Sequence, residues 1–76
     1  MNMKRRKRIS ALMDRLEDIR IDLEELKDEE EEVRDNIPEN LEGSERYEAI
    51  SDACDNLDYA LDSLEEAVEY MTSAIE

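Results

Sequence analysis

Apolar residues recur at alternating steps of three and four along two long stretches of the chain, with a short polar segment between them. The first stretch runs from Ile9 to Ile37 and the second from Tyr47 to Ile75. This spacing places the apolar side chains on one face of an α-helix, and its persistence over four heptads is typical of a coiled coil. The pattern therefore predicts two long amphipathic helices.

The first stretch is a nearly complete heptad seam, meaning the row of apolar a and d positions, when Ile9 is placed at position a. Its apolar members are Ile9, Leu12, Leu16, Ile19, Leu23, Leu26, Val33 and Ile37. The polar exception is Glu30, inside the acidic run 28–32, where neighbouring like charges weaken a helix. Glu30 is interpreted either as a partly open part of the seam or as a polar group that fixes register or contacts a partner.

The second stretch has a seam without a polar interruption and a row of alanines beside it. The seam comprises Tyr47, Ile50, Cys54, Leu57, Leu61, Leu64, Val68, Met71 and Ile75. With Cys54 at position a, position g is alanine in four consecutive heptads: Ala53, Ala60, Ala67 and Ala74. An apolar face of three positions in seven suits a globular bundle better than a two-stranded coil, and small side chains let another helix approach closely.

The segment between the stretches contains the only proline, Pro38, and the only glycine, Gly43. Pro38 disfavours a helical Ile37, and Ser44 is a favourable N-cap for the following helix. We expect one domain, with helix 1 at about 3–36, a connector at 37–43 and helix 2 at about 44–75. A connector this short returns the chain antiparallel.

Charges beside the two seams support the antiparallel direction. In that arrangement position e of one helix faces position e of the other, which pairs Lys27 with Asp58 and, in the same register, Arg20 with Glu65. The basic residues 4–8 then lie beside the acidic end of helix 2, near Glu76. We expect that helix end to offset their charge, which is unfavourable at a helix N-terminus.

The predicted fold is all-α, an antiparallel two-helix coiled-coil hairpin that dimerises into a four-helix bundle. A lone hairpin covers its seams only partly, while ordering the backbone is costly, so a further apolar surface is needed. That surface is expected to be a second copy of the chain or another protein. The candidate interface comprises Ala53, Ala60, Ala67, Ala74, Leu57, Leu61 and Leu64.

The amino-acid composition argues against most kinds of catalytic and metal-binding site. The 76 residues include one cysteine, no histidine and a formal net charge of −14, so an internal disulfide is impossible and most metal and nucleophilic sites lack their ligands. The aspartates 52, 55, 58 and 62 lack the glycine and loop of an EF-hand, and Cys54 is interpreted as a small buried apolar residue. We expect no catalytic residue, no metal, no cofactor and no enzymatic activity.

No apolar run approaches the roughly 20 residues that span a bilayer, and the basic N-terminus is not followed by the apolar region of a secretory signal. These features predict a cytoplasmic protein without membrane contact. The regular apolar spacing argues against disorder, despite the high charge.

The connector carries a resemblance. Residues 35–48, Asp-Asn-Ile-Pro-Glu-Asn-Leu-Glu-Gly-Ser-Glu-Arg-Tyr-Glu, followed by Ala53-Cys-Asp-Asn-Leu, resemble a group of small acidic helical proteins encoded by Firmicutes and by their phages and mobile elements. The resemblance covers roughly residues 28–76, and the connector is its most specific part. It implies a phage or mobile-element context, and it implies no activity and no functional residues.

Three functions are open at this point. The first is a non-catalytic helical module for protein–protein interaction, acting as a homodimer. The second is an acidic mimic of nucleic acid that inhibits a host defence protein, of anti-CRISPR or anti-restriction type, because carboxylates spaced along a helix can replace phosphates against Lys and Arg. Its candidate face comprises Asp52, Asp55, Asp62, Glu66 and Glu69, which could equally be a solvated surface.

The third function assigns DNA or anionic-surface binding to the basic residues 4–8, although the excess of acidic residues makes direct nucleic-acid binding unfavourable. Tyr59 and Tyr70 lie outside the seam of helix 2, and are interpreted as exposed rim residues or as anchors for a partner.

Overall fold

The computed structural model describes residues 1–76 as two long helices without a strand. Helix α1 is Met3–Asp35, helix α2 is Glu45–Ile75, and one turn of 3-10 helix, Glu39–Leu41, lies between them. The helices pack against each other in a rod whose Cα extents are 59 × 15 × 13 Å. The all-helical hairpin predicted from the two seams is therefore confirmed.

Both helices begin at a polar cap. The Asn2 side chain accepts a hydrogen bond from the Arg5 backbone N–H at 2.8 Å, and Ser44 Oγ accepts one from the Tyr47 N–H at 3.2 Å. These side chains satisfy N–H groups that have no partner within the first turn of a helix. Helix α1 ends three residues before Pro38, whose ring disfavours helical backbone at the residue before it.

The chain reverses direction completely, so that the N-terminus of α1 lies beside the C-terminus of α2. Arg6 Nη2 donates a long hydrogen bond, 3.5 Å, to the Glu76 backbone carbonyl. The N-terminus of α1 therefore reaches the end of α2 as expected, but none of the basic residues 4–8 forms an ion pair with an acidic side chain of α2. The Nε atom of Arg6 is buried and has no hydrogen-bond acceptor.

The core of the hairpin is thin. Cys54, with 1% of its surface exposed, is the only buried residue of the chain. The remaining seam residues of α2, from Tyr47 to Ile75, are all half-buried. Each helix thus has one neighbour, and two helices cannot enclose a broader core.

Candidate interaction faces

Helix α1 contacts α2 through positions a and e, which differs from the a and d seam that the heptad pattern predicts. The half-buried e residues are Met13, Arg20, Lys27 and Arg34. The exposed d residues are Leu12, Ile19, Leu26 and Val33. The expectation that both a and d of α1 are covered by α2 is therefore wrong for the whole d row.

Side-chain length explains this rotation of α1. The e residues of α1 are long, and their aliphatic stems can lie over α2 while the charged ends reach its edge. The e residues that face them near the loop end of α2, Ser51 and Asp58, are short and half-buried. Only 21% of the Lys27 side chain is exposed, although it carries a charge.

The predicted ion pair between Lys27 and Asp58 is confirmed, with Nζ 2.7 Å from Oδ1. A second carboxylate, Glu31, lies 3.5 Å from the same Nζ within α1. The hydrogen bond to Asp58 is the main reason that the pKa of Lys27 is raised above its ordinary value. This pair fixes the register of the hairpin, because it joins the C-terminal half of α1 to the middle of α2.

The second predicted pair, between Arg20 and Glu65, does not form. Arg20 instead contacts Glu17 and Glu24, each at 2.7 Å, one turn away on its own helix. Carboxylates at these spacings reach the guanidinium without bridging two helices. The hydrogen bonds from Arg20 lower the pKa of Glu17. Arg20 and Glu65 still line one shallow groove on this side of the hairpin.

Cys54 is close enough to Arg34, Glu30 and Glu31 of α1 for their charges to act on its thiol. Burial is the main reason that the pKa of its thiol is raised, and the nearby Arg34 partly opposes this shift. A protonated, enclosed thiol is a poor nucleophile. The free cysteine therefore serves in packing, as its seam position indicates.

The exposed d row of α1 and the alanine row of α2 lie on the same side of the hairpin, opposite the Lys27–Asp58 pair. Positions d and g lie on the other edge of each helix from position e. Two shallow grooves lie between the d row of α1 and the seam of α2: one is lined by Leu12, Ile19 and Met71, and the other by Leu26, Val33 and Leu57. We call this surface the apolar face; it comprises Leu12, Ile19, Leu26 and Val33 of α1 and Ala53, Ala60, Ala67 and Ala74 of α2.

The structure divides the seven predicted interface residues into two groups. Leu57, Leu61 and Leu64 are half-buried seam residues of the hairpin itself. Ala53, Ala60 and Ala67 are half-buried and Ala74 is exposed, and these four form the rim of the apolar face. Sequence reasoning missed the d row of α1. The long side chain at every e position of α1 was the signal that could have revealed it.

The five predicted acidic-face residues are exposed, and none of them takes part in an ion pair. They occupy positions b and f of α2. All acidic residues of α2 beyond Arg46 lie at positions b, e and f, whereas positions c and g hold only Ala, Asn, Ser and Tyr. Helix α2 therefore has an uncharged side and an acidic side along its whole length.

Glu30 is partly accessible, and Tyr59 and Tyr70 of α2 are exposed. Glu30 is half-buried without an ion pair and lines the groove beside Leu26 and Val33, which favours a locally open seam over a paired polar group. Tyr59 and Tyr70 are 67% and 70% exposed. Tyr59 is at position f, on the acidic side, and Tyr70 is at position c, beside the alanine row.

Neither helix has a stretch that is both long and apolar enough to cross a membrane. No group of three or more Cys, Asp or Glu side chains is arranged to hold a metal ion. Comparison of the chain with protein-family models, with curated proteins and with solved structures found no match.

Proposed function

We propose that the protein is a non-catalytic helical module for protein–protein interaction, and that it acts as a homodimer through its apolar face. The observation that carries the proposal is the exposed d row of α1 beside the alanine row of α2. In the register given by the Lys27–Asp58 pair, the two rows lie side by side over about 32 Å of the rod. A continuous apolar surface of this kind marks an interaction site in a water-soluble fold.

The exposed area of the hairpin supports a partner. A compact protein of 8.9 kDa exposes about 4,800 Å², whereas this chain exposes 5913 Å². The excess of about 1,100 Å² is similar to the roughly 800 Å² that each partner buries in a stable interface. Contact with one partner of similar size would therefore reduce the exposed area of the hairpin to about that of a compact protein of the same mass.

The distribution of charge supports a second copy as that partner. Two chains of net charge −14 repel each other unless their acidic surfaces point apart. The acidic residues of α2 lie at positions b, e and f, away from the alanine row at g. Contact through the apolar face therefore leaves the acidic sides of both copies in solvent.

Two isoleucines provide a matched test. Ile19, in the apolar face, and Ile21, at position f on the outer side of α1, are both 51% exposed. Ile19→Glu places a charge in the proposed interface and is expected to raise the dimer dissociation constant at least about a hundredfold, because the charge is desolvated there. Ile21→Glu adds the same charge and is expected to leave dimerisation nearly unchanged.

Sedimentation equilibrium measures both variants against the wild type, and circular dichroism checks that all three remain helical. A wild type that stays monomeric at concentrations near 1 mM, where even weak dimers with Kd of about 1 mM are populated, would contradict the proposal. Equal dissociation constants for the two variants would also contradict it, because they would locate the interface elsewhere.

A second candidate function uses the opposite side of α2. The exposed, unpaired carboxylates Asp55, Asp62 and Glu69 recur every seven residues along one edge, and they could occupy a Lys- and Arg-lined nucleic-acid channel. The resemblance of the connector to proteins of phages and mobile elements suggests a host defence protein as the target, in an anti-CRISPR or anti-restriction role. Dimerisation and this role are compatible, because they use different faces.

Salt separates the two functions. Contacts of exposed charges are screened at high ionic strength, whereas apolar contacts are not. A nuclease-type partner that binds at low salt and is released at about 0.5 M salt, while the dimer persists, would support mimicry. Asp55→Asn, Asp62→Asn and Glu69→Gln together should abolish that binding and leave the dimer intact; unchanged binding by this triple variant would exclude mimicry through this edge.

A further inference from the structure

We infer that two copies of the chain pair antiparallel, with α1 against α1 of the partner, about a two-fold axis beside Ile19. The arrangement rests on the homodimer proposed above. The evidence is the row of g positions in α1, which borders the apolar face and would lie along the contact between the two α1 helices. In chain order this row is Met1, Arg8, Arg15, Asp22, Glu29 and Asn36.

In chain order, the side-chain charges of this row are neutral, positive, positive, negative, negative and neutral. The same row in reverse order places a negative charge opposite each positive one, so two antiparallel copies are complementary. Two antiparallel α1 helices bring Arg8 beside the partner's Glu29 and Arg15 beside the partner's Asp22, and the two-fold symmetry forms each pair twice. Parallel α1 helices would bring like charges together along the entire row, which is destabilising. The row therefore selects the antiparallel direction.

These four charges are free to pair with another chain. Arg8, Arg15, Asp22 and Glu29 are exposed, and none of them forms an ion pair within the hairpin. On the other edge of α1, at position e, the cations Arg20, Lys27 and Arg34 each form an ion pair within the chain. Along the e edge of α1, all charged residues except Arg6 are therefore paired within the chain, whereas the four charges of the g edge are not.

Three of the four exposed apolar residues, Leu12, Ile19 and Leu26, are arranged symmetrically about nearly the same centre as the charged row, and the fourth, Val33, lies outside this symmetric set. With the axis beside Ile19, that side chain meets the partner's Ile19, and Leu12 meets the partner's Leu26. Ile19 is also the midpoint of α1, Met3–Asp35. Two hairpins paired in this way overlap along the whole of α1, which brings Leu12, Ile19 and Leu26 of both copies into the contact.

The alanine row of α2 fits the same axis. In an antiparallel pair of α2 helices, Ala60 meets the partner's Ala67 and Ala53 meets the partner's Ala74. In the register set by the Lys27–Asp58 pair, the centre of this row lies within one helical turn of the level of Ile19. Alanine opposite alanine lets the α2 backbones approach closely, and no charge lies at positions c and g between Tyr47 and Ile75 to oppose this.

Charge reversal tests the direction. Arg15→Glu alone, and Asp22→Arg alone, each replace two attractive contacts by two repulsive ones, and we expect each to weaken its homodimer about tenfold. Mixing the two variants restores both attractive contacts, so the heterodimer should exceed the statistical half of all dimers in native mass spectrometry. A statistical mixture would overturn this arrangement. It is the result expected if α1 lies against α2 of the partner instead.

Cross-linking tests the position of the axis. In a Cys54→Ala background that is shown to remain helical, Ile19→Cys places two thiols beside each other at the axis, within reach of a disulfide. The matched variant Ile21→Cys, in the same background, places its thiol on the outer side of α1. We expect oxidation to join most of the Ile19→Cys chains into covalent dimers and few of the Ile21→Cys chains. Equal yields, or the reverse order, would overturn the inferred axis.

These outcomes are distinct from failure of the proposed function. A monomeric wild type would contradict the homodimer itself. A wild type that dimerises, with no preference in the charge-reversal mixture and no selective disulfide at Ile19→Cys, would retain the homodimer and reject this geometry.

Discussion

The two helices carry heptad patterns of similar regularity, yet they use them differently. Helix α2 packs its whole seam, positions a and d, towards α1, while α1 packs positions a and e towards α2 and leaves d in solvent. The difference follows from the flanking side chains: α2 has alanines at g and short residues at e near the loop, whereas α1 has long ones at e. The presence of an apolar row along a helix therefore does not show which other helix will pack against that row.

The same two helices also differ in how they carry charge. Helix α2 separates its acidic side from an uncharged side, whereas α1 has only cations among the charged residues of its e edge and charges of both signs on its g edge. On α1 the e edge is used within the hairpin, through Lys27 and Asp58, and the g edge has no partner in the chain. This division suggests that α1 carries the specificity for a second copy, while α2 contributes close packing.

The largest effect is expected at Cys54, where the two helices are most tightly joined. Cys54→Asp buries a carboxylate beside Glu30 and Glu31, without a cation that is free of other partners, and should cost about 3 kcal/mol or more. For a hairpin with one buried residue, this means loss of cooperative unfolding in a circular-dichroism melt. Ser10→Asp, exposed on α1, adds the same charge and should change stability little; similar melts for both variants would contradict the importance of this contact.

The next largest effect is expected in the alanine row. Ala67→Glu places two like charges between closely packed α2 helices of the proposed dimer, and should raise its dissociation constant at least about a hundredfold. Ser73→Glu, at position f of the same helix, is the control of equal net charge. Sedimentation equilibrium distinguishes them, and dimerisation by Ala67→Glu at wild-type strength would show that the alanines do not form the interface.

The sequence was sufficient to predict the hairpin and the Lys27–Asp58 pair, because heptad periodicity and the short connector determine which edges meet. It was insufficient for Arg20, which had carboxylates within reach on both helices and took those of its own helix. It was also insufficient for the d row of α1, since the rotation of a helix in a two-helix unit depends on relative side-chain lengths that the heptad pattern does not contain.

A smaller effect is expected from alkaline pH, through the one buried thiol. The pKa of Cys54 is raised by burial, so the folded chain holds this proton more tightly than the unfolded chain. The resulting stability is fully present below the unfolded pKa, about 8.5, and is lost as pH rises through the folded pKa. The loss should not exceed about 1.4 kcal/mol per pH unit for one proton.

Urea unfolding at pH 8 and pH 9.5 measures this loss, with Cys54→Ala as the variant that lacks the thiol. The wild type should lose more stability than Cys54→Ala over this interval. Identical losses would mean that the thiol ionises as easily in the folded chain as in the unfolded one, and that α1 does not shield it.

The smallest effect is expected from two tyrosines of α2 that differ in face but little in exposure. Tyr70, at position c, borders the alanine row, whereas Tyr59, at position f, lies on the acidic side. If the α2 helices of two copies meet through alanines, Tyr70 covers the rim of that contact, and Tyr70→Ala should weaken the dimer about three- to tenfold. Tyr59→Ala should leave it unchanged, because its ring points away from the second copy. A stronger effect of Tyr59→Ala than of Tyr70→Ala would place the interface on the acidic side of α2, where two such highly charged chains could meet only by separating their carboxylates with bound cations.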